Sequence, residues 1–315
     1  MLNRALPRLE ICASLSAAGG PVNEDIVGHT SNCAWVIDGA TGVGEGLTSG
    51  PSDASWFART ADAALREILA RNTQLPTSEL LRAVVKHCAD AFKRDAARPP
   101  ADRYEYPSAA IALVRMHPGG LELTTLGDCR IIYRDVAGIP HIFGSSSVGL
   151  FERRTLNRAR QLLRDDPRLE AGELRIRLSP QLRENRLAMN SPGGYWVLGL
   201  DENAVDHIDQ IVIPFDGEPV ALASDGFLRL LDLFDAVQPD DFLTIGDDAR
   251  ARSKLDELRG LEAADPHCRK FLRIKPSDDA SLMVVRGICG DGAYANDERS
   301  ISIREYRTAS TTSTV

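Results

Sequence analysis

The sequence predicts an α+β fold in which layered antiparallel sheets are covered by helices. Three observations carry that expectation. Short segments rich in alternating or β-branched residues recur along the chain. Consecutive ones are joined by tight turns, which means antiparallel pairing and not helical crossovers. Two long amphipathic stretches lie between the second and third of them, and each needs a sheet to bury one face.

Taken in order, Leu9–Ser16 and Cys33–Ile37 read as strands. A helix over Asp53–Arg71 places Phe57, Ala61, Ala64, Leu65 and Ile68 on one face. A second over Ser78–Lys93 does the same with Leu81, Val84, Val85, Cys88 and Phe92, with Thr77 or Ser78 as its cap. Ala109–Met116 and Leu121–Leu126 flank Pro118-Gly119-Gly120, a hairpin signal, and Arg130–Arg134 follows as a strand. A helix is expected over Arg154–Arg164, and Asn190–Leu198 reads as a Gly turn into an aromatic strand. Beyond it lie strands at Ile211–Pro214 and Val220–Ala223, helices at Phe227–Asp235 and about Asp240–Leu258, and a strand at Ser281–Arg286. The run from Thr308 holds too little apolar area to bury and is expected to form a loose tail.

Composition narrows the function. At 315 residues, 43% of them apolar, the chain is long enough for one large core or two ordinary ones. The first ten residues lack the apolar segment of a secretory signal, and no apolar run reaches the ~18 residues a spanning helix needs. Neither export nor a membrane is therefore expected. A net charge of −8 argues against nucleic acid, which calls for a basic face. The six cysteines form no CxxC pair and need no disulfides at this size, which fits a cytoplasmic protein.

Acidic residues stand at apolar-strand boundaries or beside Gly turns in five places. These are Asn23-Glu24-Asp25, Ile37-Asp38-Gly39, Gly127-Asp128-Cys129-Arg130, Ala223-Ser224-Asp225-Gly226 and Ser277-Asp278-Asp279-Ala280-Ser281. Singly, each is an ordinary turn, loop or helix cap. Together they would place carboxylates rigidly at a sheet edge, where convergence makes them resist joint ionisation. Divalent cations resolve that conflict, and a ligand set of oxygen without His suits Mg²⁺ or Mn²⁺. Zinc is disfavoured, because no HExxH or Cys/His spacing occurs.

This ordered set resembles the metal-dependent protein phosphatases of the type 2C (PPM) family. Their motifs run in the same sequence over roughly residues 9–287: an acidic pair, Asp-Gly, Gly-Asp-Ser-Arg, Ser-Asp-Gly and a final Asp-Asn-x-Thr. The resemblance implies an α-β-β-α sandwich of two packed antiparallel sheets flanked by helices. It assigns residues 1–290 to a phosphatase domain and 291–315 to an extension. It also implies two cations, with Asp38 and the Gly39 carbonyl bridging them. Asp225 and Asp278 would hold one, and Asp25, with Glu24 through water, the other. Asp128 matches the position that helps hold a third, weaker ion. Asp38 and Asp128 are thus the candidate catalytic residues. Paired dications would supply hydroxide from a bridging water and neutralise the phosphoryl charge, giving direct hydrolysis of phosphoserine or phosphothreonine.

Besides Cys129 and Ser281, which stand where those motifs carry Ser and Thr, three departures bear on the chemistry. Gly20 stands where many members carry an Arg that grips phosphate, and Ala40 where some carry a His after Asp-Gly. Asp279 replaces the family Asn. These departures leave two further readings open, a phosphatase of a small phosphate ester and a pseudophosphatase that binds a phosphorylated partner. An insert over about 144–190 matches the family's variable flap. Its residues 151–186 carry ten Arg against six acids. Arg153, Arg154 and Arg186 are the candidates to grip phosphate in place of the missing Arg, against the alternative of a solvated helical face. Cys129, with no neighbouring base, reads as a small core residue and not a nucleophile.

Overall fold

A computed structural model of the chain describes residues 7–144 and 147–288. Among the described residues ten strands form two antiparallel sheets of five. The first has the order β1 (Arg8–Ala17), β10 (Ala280–Ile288), β9 (Pro219–Ala223), β6 (Arg130–Arg134) and β7 (Pro140–Phe143). The second has the order β2 (Asp25–His29), β3 (Cys33–Gly39), β4 (Ala109–His117), β5 (Gly120–Leu126) and β8 (Asp209–Ile213).

Strand periodicity divides the buried residues among the layers. On β3, Ala34 and Val36 face the first sheet, where they meet Leu222, Met283 and Val285. The alternate residues Cys33, Trp35 and Ile37 face outward against α1 (Asp53–Arg71) and α2 (Thr77–Asp95). On the opposite side Ala221, Ala223, Leu282 and Val284 pack under α5 (Asp225–Asp232), α6 (Pro239–Leu243) and α7 (Asp248–Ala263). Helices cover both outer faces, so the central strands read as continuous apolar runs. A fully buried side chain such as Phe57 contributes about 1.5–3 kcal/mol. The result is the α-β-β-α sandwich that the resemblance implies.

The structure adds elements that the pattern misses, each for a local reason. β2 is short and interrupted by Gly28, where a Cβ would stand 2.4 Å from Trp35 Nε1. The indole passes through that space and donates to Asp62 at 2.9 Å. β7 is an edge strand opening on a proline. α4 (Ala171–Leu187) carries Pro180 inside it and buries only Leu174, Leu178, Asn185 and Arg186, so no apolar stripe marks it.

Other expectations need correction. The single helix over 240–258 is two, because a capping box on Gln238 and Asp241 opens α6 and the Asp247 carboxylate caps α7 afresh. The cap position of α2 is Pro76, without a side-chain hydrogen bond. The Thr77 hydroxyl instead bonds Glu122 and accepts from Arg115 at 2.6 Å. In place of the aromatic strand at 190–198 there are isolated bridges, Met189 with Tyr195 and Ala109 with Leu198.

α3 (Ser147–Asp165) and α4 pack on each other through Ala159, Leu162, Leu174 and Leu178, and on the loop carrying Leu272 and Ile274. That loop runs straight into the acidic residues before β10. Cys12, Cys33, Cys88, Cys129 and Cys268 are free thiols. Cys289, the extension 291–315 and the tail lie outside the described residues. Among the described residues no helix is long and apolar enough to cross a membrane.

Candidate metal centre

Sheet register brings the aspartates together. Asp25 opens β2 directly opposite Asp38 near the end of β3. Asp128 occupies the β5–β6 turn, Asp225 begins α5 immediately after β9, and Asp278 precedes β10. Since β6, β9 and β10 are neighbours, all five carboxylates reach the same end of the sandwich. Two glycines permit the close approach. A Cβ on Gly39 would lie 2.6 Å from the Glu24 carbonyl oxygen, and one on Gly226 would lie 1.8 Å from that of Asp279.

The charges interact strongly. Desolvation pushes the Asp38 carboxyl well above its ordinary range, and Asp25, Asp225, Asp128 and Asp278 push it the same way. Asp25 rises to about 8, chiefly through burial, with the charges of Asp225 and Asp279 adding to it. Asp128 rises to about 7 through desolvation and then Asp225, and Asp225, although it opens to solvent in the cleft, rises through desolvation and then Asp278. Glu152 of α3, exposed at the cleft wall, belongs to this field as well: desolvation by the surrounding protein and then Asp225 raise it.

Asp25 carries the plainest sign of a missing partner. Both its carboxylate oxygens are buried and neither makes a hydrogen bond of normal geometry, although the Ser224 and Ser281 hydroxyls lie near enough to offset part of the rise. A buried carboxylate left this way is costly unless a cation completes it. Asp278 is arranged differently. Its Oδ1 accepts from Lys275 Nζ at 2.7 Å and its Oδ2 from Arg229 Nη2 at 2.7 Å. Arg229 is held in turn by Glu262 at 2.9 Å. Burial alone would lower the Lys275 ammonium's pKa, but Asp278 and Asp225 outweigh it and hold it above its ordinary value.

The donor set fits hard dications. It is all oxygen, it includes an unsatisfied carboxylate, and its members cannot all ionise without added positive charge. Among the described residues no three His, Cys, Asp or Glu side chains close into a ready-made cage. Asp278 is one that stands apart, since its oxygens are turned toward Lys275 and Arg229.

Asp38, Asp128, Asp225 and Asp278 line a cleft of about 500 Å³, with Ala40 and Thr41 beside them. Glu24 is bonded by the Thr41 hydroxyl. Asp279 points elsewhere: its oxygens accept from the backbone N–H of Gly19 at 2.7 Å and of Glu24 at 2.6 Å. It clamps the acidic-pair loop, a task its second anionic oxygen suits better than an Asn amide would. Cys129 is fully buried, and desolvation raises its thiol well above the ordinary value, in keeping with a core residue.

The insert arginines chosen from sequence do not meet the carboxylates. The Arg186 guanidinium donates to the carbonyls of Tyr104 at 2.8 Å, Tyr106 at 2.6 Å and Ala40 at 3.4 Å, so it braces backbone. Arg154 lies over the Phe151 ring at 4.9 Å, Arg153 is exposed, and neither lines the cleft. Arg175 of the same insert does line it, as does Lys275. Sequence reading passed over Lys275, although it stands only three residues before Asp278 in the loop that carries this carboxylate.

A family model for Protein phosphatase 2C matches residues 18–258. No curated protein matches the chain. Among solved structures, the catalytic domain of the serine/threonine protein phosphatase PstP in complex with two manganese ions is similar at a TM-score of 0.52 and 14% identity. That similarity covers 90% of this chain and 99% of the other. The Mycobacterium tuberculosis phosphatase PstP/Ppp and PppA from Pseudomonas aeruginosa share the same TM-score and coverage, at 15% and 17% identity. At such identities these structures bear on the fold alone.

Proposed function

The chain belongs to the protein phosphatase 2C family, and from that premise we propose that it hydrolyses phosphoserine or phosphothreonine in protein substrates with Mg²⁺ or Mn²⁺. The residues that would hold two cations are Asp25, Asp38, Asp225 and Asp278, with the Gly39 carbonyl, and with Glu24 through water. Asp128 would contribute to a third. The observation that carries this reading is Asp25, whose two buried oxygens make no hydrogen bond of normal geometry beside Asp38. Two manganese ions are present in the similar PstP catalytic domain, and the same number is proposed here. When bound, such ions polarise water and offset the charge that builds on the phosphoryl oxygens as the P–O bond breaks in line.

The chain's own residues set the stage for that reaction. The Asp25–Asp38 register fixes two carboxylates across one strand pair. Asp279 holds the Glu24 backbone, and Thr41 holds the Glu24 carboxylate. Residues 1–290 are read as the phosphatase domain, with 144–190 as a flap whose α3 and α4 wall the cleft. The cysteines among the described residues are all free thiols, which suits a reducing cytoplasm. Carboxylates that repel one another this strongly gain nothing in a module that only binds phosphate, which favours catalysis.

Turnover of a phosphothreonine peptide and of p-nitrophenyl phosphate, each with Mn²⁺ and with EDTA, tests the proposal. Peptide hydrolysis that needs Mn²⁺ and stops with EDTA is expected. Turnover of the small ester alone would contradict the protein-substrate reading, and turnover of neither would contradict hydrolysis.

A further inference from the structure

We propose that Lys275 grips the substrate's phosphoryl oxygens, in place of the cation that the acidic-pair loop lacks at Gly20. The proposal rests on the functional reading above.

A phosphoryl dianion in a cleft walled by carboxylates needs a positive charge with a free donor beside the metals. The usual source is closed here. Gly20 is exposed, and a Cβ there would meet nothing within 4 Å. Of the five cationic side chains that line the cleft, Arg273 and Arg229 are already engaged, Arg130 pairs only loosely, and Arg175 and Lys275 remain as candidates. Arg273 is 5% exposed, and its guanidinium donates to Pro276, Asp265, Phe271 and Glu262. Arg229 is held between Glu262 and Asp278. Arg130 faces Asp232 at 3.5 Å.

Lys275 differs in position and in capacity. Its ammonium lies 2.7 Å from Asp278 Oδ1 and 2.8 Å from Thr41 Oγ1, so it bridges a proposed metal ligand and the loop that follows Asp38. An ammonium has three donors, and these contacts use two. The third N–H is left for a phosphoryl oxygen. Its flexible four-carbon stem lets the charge follow the phosphate, whereas the rigid guanidinium of Arg229 is fixed by two carboxylates. A cation held by Asp278 would free a second N–H of Lys275 for the substrate.

The test is calorimetric titration of inorganic phosphate into Mn²⁺-loaded wild type, Lys275→Met and Lys275→Arg, with Mn²⁺ affinity measured for each. Steady-state kinetics on a phosphothreonine peptide accompany it. Phosphate affinity is expected to fall at least ~10-fold in Lys275→Met, as loss of a charge-assisted bond implies. KM should rise by a similar factor, Mn²⁺ should bind no more weakly, and Lys275→Arg should recover most of the phosphate affinity. Should Lys275→Met fail to fold, Lys275→Gln, a neutral donor, carries the same expectation. Undiminished phosphate affinity in the neutral variant overturns the proposal. So does loss of Mn²⁺ together with phosphate, which would make Lys275 part of the metal framework. Phosphate binding that survives in Lys275→Met but is lost in Arg175→Ala also overturns it. A wild type that binds Mn²⁺ but no phosphate contradicts the grip alone, whereas one that binds no Mn²⁺ contradicts the functional reading itself.

Discussion

Asp38→Asn is expected to lower turnover on the order of 10³-fold or more and to remove tight Mn²⁺ binding, while the metal-free variant melts higher than wild type. The three effects share one cause. Asp38 feels the charges of Asp25, Asp225, Asp128 and Asp278 at once, so it is the electrostatic centre of the cluster. Asn keeps the shape and removes the charge. A change in a metal site's outer shell already costs 10–100-fold, and loss of a bridging ligand exceeds that. Without metal, the same substitution relieves repulsion and the desolvation of a carboxylate, both of which oppose folding. Peptide kinetics, Mn²⁺ calorimetry and melting in EDTA measure the three separately. An active Asp38→Asn with wild-type Mn²⁺ affinity would remove Asp38 from the centre.

Metal-free stability is expected to fall as pH rises from about 5 to 8, and Mn²⁺ is expected to remove most of that fall. Asp25 titrates at about 8 in the folded chain and Asp128 at about 7, against a reference near 3.9 for an unfolded Asp. Asp38 and Asp225 are shifted in the same direction. Between these limits the folded state binds more protons than the unfolded one, so stability declines with pH. The contribution of these groups is fully present below about pH 4 and is lost as pH passes through 7 to 8. Asp265 acts in the opposite sense. Its backbone N–H donors and Arg273 overcome its burial and lower it to about 2, so its contribution is lost only in stronger acid, outside this window. A decrease in Tm on the order of 5–10 °C across the window is expected in EDTA for a chain of this size. Cations take the place of those protons, so loading releases protons and flattens the profile. A Tm that is level or rises over the same range in EDTA would show that these carboxylates are not forced together.

What the sequence made legible follows from what was local in it. The acidic motifs could be read because each sits at the end of a strand whose apolar pattern survives in the primary structure. α1 and the β4–β5 hairpin were equally plain, since their patterns are regular and their turn residues explicit. α4 was hidden because Pro180 interrupts it and because Leu174, Ile176 and Leu178 alternate with the period of a strand instead of forming a helical stripe. The arginines show a different limit. Nothing within residues 151–186 distinguishes Arg186, which reaches three carbonyls in distant segments, from Arg175, which lines the cleft. Lys275 and Asp279 lie next to a recognised motif. Their roles depend on Thr41, Gly19 and Glu24, brought beside them only by the pairing of β1 with β10 and of β2 with β3.

Anomalous diffraction at the manganese edge from crystals grown in Mn²⁺ addresses the carboxylate centre most directly. Two peaks are expected beside Asp38, one also touching Asp25 and the other Asp225 and Asp278, with the Asp278 oxygens turned away from Lys275. An ion density that avoids Asp38, or no density while Lys275 and Arg229 still hold Asp278, would contradict it.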